Sequence, residues 1–204
     1  MSYNLNQIVN LLSSTPSDIN QHLQFLATLS TECESVLECG VRNIVSTWAF
    51  IKGLVNNTST VKQLMSCDLD RPTNLNKVEE ACKENGIDFS FFQGNDLKLP
   101  MKQFDLIFID TWHVYGHLKR ELELMNPYAK KYIVLHDTEV DKVDGESIRQ
   151  HMNVAQQSKD SGIPEGEIRR GLGLALLEFL LAHPEWKVKI HFTHNHGLTV
   201  LERF

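Results

Sequence analysis

The sequence has no lysine- or arginine-rich block. Its 20 basic residues are scattered against 26 acidic ones, for a net charge of −6. An acidic chain without a basic stripe is poorly suited to a phosphate backbone, so no nucleic-acid partner is expected. Long apolar runs are also missing: a stretch such as Leu172 to Ala182 is too short to cross a bilayer, and no membrane partner is expected either. The opening Met1-Ser2-Tyr3-Asn4-Leu5-Asn6 lacks the basic and apolar regions of a secretory signal. Four cysteines (Cys33, Cys39, Cys67 and Cys82) form no Cys-x-x-Cys pair and no regular framework, which fits reduced thiols in a cytoplasmic protein. Internal repeats are absent. A length of 204 residues with 42% hydrophobic content suits one domain, 1–204, with a sizeable core.

The first thirty-odd residues (1–34) read as helices. Leu5, Ile8, Val9 and Leu12 share a face, Pro16 interrupts, and Ser17 or Asp18 can cap a second stretch carrying Leu23, Phe25, Leu26 and Leu29. From Ser35 onward, short apolar runs alternate with helical patterns. Strands are predicted at Ser35–Cys39, Val61–Cys67, Ile87–Gln93, Phe104–Ile109 and Tyr132–Leu135. Helices are predicted at Ile44–Leu54, Asn74–Asn85 and Val114–Met125. Such alternation implies an α/β fold with a parallel sheet and helices on both faces. The polar segment 139–170 reads as an irregular or partly helical excursion, a lid or substrate loop. A helix over Leu172–Ala182 follows. Two β-like runs, Lys187–Phe192 and Leu198–Leu201, then flank Asn195-His196-Gly197, a hairpin signal. The expectation is a Rossmann-like seven-stranded, mostly parallel sheet closed by a C-terminal antiparallel hairpin.

Ligands of open α/β sheets sit beyond the carboxyl ends of the strands. The first such end reads Glu38-Cys39-Gly40, and Gly40 is the only glycine of its turn. The Gly-x-Gly-x-x-Gly fingerprint of dinucleotide sites is therefore absent. Glu38 suits an ammonium, Gly40 allows close backbone approach, and Ser46 and Thr47 can offer hydroxyls and N–H groups to a carboxylate. Together they fit the amino-acid end of S-adenosyl-L-methionine. Asp68, favoured over Asp70, can accept ribose hydroxyls after the second strand, and Asn95 or Asp96 can receive an adenine amino group after the third. Each acid taken alone reads equally as a turn former or helix cap.

Glu38-x-Gly40 with Ser46, Asp68, Asp96 and Asp110 resembles the motifs of class I S-adenosylmethionine-dependent methyltransferases, over nearly the whole chain from Ser35. The short motifs are degenerate, and their ordered spacing carries the resemblance. Asp110 and the His136-Asp137 pair end the fourth and fifth strands, where they could hold a divalent cation that polarises an acceptor hydroxyl. His113, three residues after Asp110, could remove the hydroxyl proton. This set is similar to that of metal-dependent sugar O-methyltransferases and of cephalosporin hydroxylase-like proteins, and more weakly to glycan methyltransferase domains of large algal viruses. It departs from the sugar enzymes in carrying His136 where they have an acid, which opens Mn²⁺ or Fe²⁺ beside Mg²⁺, or no metal. Other readings stand beside these. Asp110 could serve the donor alone or cap the next helix, His136 could be a buried histidine with a backbone partner, and His113 could bind substrate without moving a proton.

The remaining histidines carry less. His113 and His117 lack the glutamate of a zinc-protease motif, and His194 and His196 read as zinc ligands or as a solvated turn. The resemblance implies O-methyl transfer to a small-molecule, sugar or glycan hydroxyl, with Asp110 and His113 catalytic. The alternatives are a nicotinamide-linked oxidoreductase and a methyltransferase-like binding domain without catalysis. The oligomeric state, a homo-oligomer included, stays open.

Overall fold

A computed structural model describes residues 3–204 of the chain. Helix α1 (Leu5–Ser14) starts at Asn4, whose side chain accepts the Gln7 N–H. Helix α2 (Leu23–Ser30) is not capped by Ser17 or Asp18 as expected. The Asn20 side chain takes the Ser17 N–H, and Asp18 pairs with Arg42 instead. The alternating region then gives β1 (Ser35–Cys39), α3 (Val45–Asn56), β2 (Gln63–Asp68), α4 (Leu75–Glu84), β3 (Asp88–Gln93), β4 (Phe104–Ile109), α5 (Tyr115–Met125) and β5 (Ala129–His136).

Segment 139–170 folds into three short helices, α6 (Glu146–Arg149), α7 (Val154–Ser161) and α8 (Glu165–Ile168). Their apolar side chains Val154, Ile163 and Ile168 gather with Val114 into a small core of their own, against Trp112 and Ile148. Helix α9 (Leu172–Ala182) and the hairpin β6 (Trp186–Phe192) and β7 (Leu198–Arg203) close the chain.

The sheet runs β3-β2-β1-β4-β5-β7-β6. Strands β1 to β5 pair in parallel, and β7 enters antiparallel between β5 and β6. This is the expected seven-stranded Rossmann-like sheet with its terminal hairpin. Every residue of β1 and β4 is buried, as central strands covered on both faces must be. Alternation splits them between two cores. Val36, Leu106 and Phe108 face α1, α2 and α3, whereas Leu37, Ile107 and Ile109 face α5 and α9. The chain runs outward from β1 to β3 and then returns to lay β4 on the other side of β1. That reversal splays the two connections apart and opens a crevice over the carboxyl ends of β1 and β4.

Candidate active site

The crevice is a cleft of about 950 Å³, walled by the strand ends, by residues 17–19 ahead of α2, and by α7 with the residues after it. That volume lies near the upper end for small-molecule sites and leaves room for a donor and an acceptor together. Its floor depends on Gly40. With φ at +87°, a Cβ there would lie 1.8 Å from the Asp110 carbonyl oxygen, so no larger residue fits. The close approach is fixed by backbone bonds from Gly40 N to the Cys67 carbonyl and from Asp110 N to the Cys39 carbonyl.

The structure places the expected donor-site residues unequally. Asp68, Asn95, Asp96, Asp110, Gly40 and Ser46 all line the cleft. Glu38 does not. It is fully buried beneath the floor and accepts from Ser46 Oγ at 2.6 Å, Thr47 Oγ1 at 2.9 Å and Ser66 Oγ at 2.8 Å. Burial pushes its pKa up to about 7 against these three hydroxyls, which favour the charged form. The expectation that Glu38 meets an ammonium is corrected: both oxygens are spent on the protein. The Ser46 and Thr47 hydroxyls, expected to face a ligand, are spent in the same bonds. Asp68 gives one oxygen to the loop after β1, accepting the N–H groups of Val41 and Arg42 at 2.8 Å each. Asn95 Oδ1 accepts the Leu97 N–H locally. Asp96 keeps Oδ2 without a partner although the residue is buried.

At the ends of β4 and β5 two imidazoles and two carboxylates converge. His113 Nε2 lies 3.1 Å from Asp110 Oδ1 and 3.2 Å from Asp137 Oδ2. His136 Nδ1 lies 3.2 Å from each of the same two oxygens. His136 is oriented by its other nitrogen, which donates to the Asp18 carbonyl at 3.1 Å. The sequence reading placed Asp110 and His113 on one helical face, but α5 begins only at Tyr115 and Val114 is extended. A non-helical turn makes the contact.

The charges of this cluster support one another. Burial would lower the His136 pKa, but Asp110 and Asp137 outweigh it and push the imidazole up to about 10. Burial likewise opposes charge on His113, yet its bonds to Asp110 and Glu146 raise its pKa well above the usual value. Asp110 and Asp137 are held below the carboxylate range because the imidazolium charges overcome the burial penalty. His113 Nδ1 is taken too, 3.1 Å from Glu146 Oε2 and 3.5 Å from Asp141 Oδ2. Asp141 is itself clamped by Arg149 Nε at 2.6 Å and by its terminal nitrogen at 2.8 Å. Both His113 nitrogens therefore face carboxylates, and the residue itself lines the cleft.

Sequence reasoning missed Glu146, Asp141 and the Asp18 carbonyl. Glu146 and Asp141 sit in the segment read only as a lid, where no periodicity marks them. A backbone carbonyl carries no sequence signal at all. His196 was left open as a zinc ligand or a solvated turn. Its Nδ1 lies 2.8 Å from Asp137 Oδ1, with a half-exposed ring stacked 6.3 Å from that of His136.

No family model matches this sequence, and no curated protein does. Solved structures do match. A Klebsiella pneumoniae chain provisionally assigned as an O-methyltransferase superimposes with a TM-score of 0.61 at 19% identity, covering 98% of this chain and 89% of that one. A Podospora anserina methyltransferase bound to S-adenosylhomocysteine gives 0.58 at 15% identity, with 100% and 89% covered. A Bacillus cereus O-methyltransferase in complex with S-adenosylhomocysteine gives 0.55 at 15%, with 98% and 90% covered. At such identities the likeness establishes the fold: the chain has the class I methyltransferase architecture.

Proposed function

We propose that this chain is an S-adenosylmethionine-dependent O-methyltransferase whose acceptor hydroxyl, on a sugar, glycan or other small molecule, is bound beside a divalent cation. The observation that carries the reading is the ring of Asp110 Oδ1, Asp137 Oδ2, His113 Nε2 and His136 Nδ1, with neighbours 3.1 to 3.2 Å apart. Ligands about 2.0–2.2 Å from a first-row metal stand roughly 3 Å apart along the edge of an octahedron. Within the ring, Asp110, His113 and Asp137 bring one ligand atom each within 4.8 Å of one another, a span one ion can bridge with His136 at its edge, and imidazole beside two carboxylates suits Mn²⁺ or Fe²⁺ better than Mg²⁺. When bound, such a cation lowers the pKa of a coordinated hydroxyl and orients its oxygen.

The protein's own groups supply alignment, which is most of what in-line methyl transfer requires. Helix α3 opens on Ile44 with no side-chain cap, leaving first-turn N–H groups for the donor's carboxylate. Asp68, at the end of β2, suits the ribose hydroxyls, and Asp96, after β3, suits the amino group of adenine. Neighbours of the same fold bound to S-adenosylhomocysteine support this assignment of the cleft.

Calorimetry with S-adenosylhomocysteine, with EDTA or added Mn²⁺, tests the donor and the metal separately. Saturable binding is expected, and its absence in both conditions would sink the donor reading. His113→Ala and His136→Ala should each weaken Mn²⁺ binding by about a hundredfold or more while leaving S-adenosylhomocysteine affinity within about threefold. Unchanged Mn²⁺ affinity in both variants would remove the cation from the mechanism. Acceptor class is read from S-adenosylhomocysteine release against free sugars, glycosides and catechols.

A further inference from the structure

Beside the four candidate ligands, the cleft wall is completed by residues that stand at no strand end. Trp112 and His113, in the turn after β4, run alongside the first residues of α6. The Trp112 indole N–H donates to Ser147 Oγ at 3.1 Å. His113 and Glu146 pair more fully. The Glu146 backbone N–H donates to the His113 carbonyl at 2.9 Å, and the His113 backbone N–H donates to Glu146 Oε2 at 3.2 Å. The same carboxylate oxygen lies 3.1 Å from Nδ1 of the His113 imidazole.

Two carboxylates approach that nitrogen, and they are not equivalent. Asp141 Oδ2 stands 3.5 Å away, at the limit of a hydrogen bond. Both Asp141 oxygens already accept from the Arg149 guanidinium, at 2.6 and 2.8 Å. Glu146 Oε2 accepts from His113 alone among the described residues, while its other oxygen receives the Gln150 amide weakly, at 3.4 Å. Glu146 is therefore the acceptor for Nδ1. An ionised carboxylate accepts and cannot donate, so Nδ1 carries a hydrogen. Nε2 is then the nitrogen turned toward Asp110 and Asp137, at 3.1 and 3.2 Å.

We infer that Glu146 is a positioning residue: by holding the Nδ1 hydrogen of His113, it fixes the imidazole with Nε2 directed at the oxygens of Asp110 and Asp137. Arg149 contributes by keeping Asp141 off the same nitrogen. The pairing itself stands on geometry, and its consequence rests on the cation reading above. A histidine whose far nitrogen is held by a carboxylate presents its near nitrogen to a cation in one tautomer and one orientation. The α6 turn then supports the candidate ligands from behind, although it belongs to a segment outside the sheet.

Proton NMR of the full chain carrying isotope-labelled histidine reads the Nδ1 hydrogen without any metal. A ring N–H resonance far downfield, identified by its loss in His113→Ala, is expected in the wild type. Glu146→Gln keeps a carbonyl acceptor and should retain a less shifted signal, while Glu146→Leu should lose it to solvent exchange. Calorimetry with Mn²⁺ reads the consequence: binding about tenfold weaker in Glu146→Gln and about a hundredfold weaker in Glu146→Leu. Ser147→Ala breaks the neighbouring bond of the same turn and should bind Mn²⁺ within about threefold of the wild type. Absence of the resonance in the wild type, or its survival in Glu146→Leu, would overturn the inference. So would equal losses of Mn²⁺ affinity in Ser147→Ala and Glu146→Leu, because α6 would then act only as a fastening. A wild type that binds no Mn²⁺ would count against the cation reading, and the Nδ1 resonance would still decide the pairing of Glu146 with His113.

Discussion

Glu38, enclosed by the hydroxyls of Ser46, Thr47 and Ser66, is the residue whose surroundings most change its chemistry. Its folded pKa is raised from the ordinary 4.5 to about 7 by burial, so the native state retains a proton that the unfolded chain has lost between these values. The contribution is full below about pH 4.5 and is lost as pH rises through about 7, amounting to roughly 3 kcal/mol over the window at 1.36 kcal/mol per unit. Urea unfolding of the wild type and Glu38→Gln at a series of pH values should therefore give curves that diverge from pH 5 to 8. Parallel curves would show that Glu38 ionises normally. The sequence marked Glu38 as a strand-end acid and misread its direction. Alternation along β1 turns Val36 and Glu38 toward α3, where Ser46 and Thr47 begin the helix, so strict application of the two-residue period would have placed it under the floor. Asp110, one residue beyond the last of β4, has left that period and lines the cleft, as expected.

The strands were legible at the level of elements because β1 and β4 are short, mostly apolar runs bounded by polar or turn residues, and their ends came out residue for residue. Segment 139–170 was not, because α6 and α8 span four residues each, too few for a helical period to register. The hairpin was read correctly as a hairpin, but what its tip does depends on tertiary packing. Asn195 and His196 both take positive φ, as does Asp137 opposite. Such backbone is uncommon for residues other than glycine and persists where surrounding contacts hold it. Here it brings His196 Nδ1 to Asp137 Oδ1, leaving Oδ2 for the ring of four candidate ligands. His196→Ala should weaken Mn²⁺ binding by about tenfold, the usual reach of a group that orients a metal ligand, with the far-ultraviolet spectrum unchanged. His191→Ala, one pair below the same turn and bonded to Thr199 and Glu139, should leave the metal untouched. Equal effects from the two variants would assign the loss to the hairpin as a whole.

Across the whole molecule, the two proposed ligands meet on one residue. Asp110 ends β4, lines the cleft and supplies an oxygen to the candidate cation ring, while Gly40 lies against its carbonyl from β1. A donor seated over Gly40 and a cation held by Asp110 therefore act on the same junction of β1 and β4, where the topology reverses. Linkage makes this measurable. A ligand that binds only the folded chain at a hundred times its dissociation constant stabilises it by about 2.7 kcal/mol, or roughly 5–11 °C in Tm for a chain of this size. S-adenosylhomocysteine and Mn²⁺ should each raise Tm by an amount in that range. Because cation binding replaces the protons between Asp110 and the two imidazoles and fixes the carboxylate's position, the two together should exceed the sum of the separate shifts by about 1 kcal/mol or more. Asp110→Asn should abolish the excess and most of the Mn²⁺ shift while sparing much of the donor shift. Strictly additive shifts in the wild type would mean that donor and cation occupy independent sites, and Asp110 would then belong to only one of them.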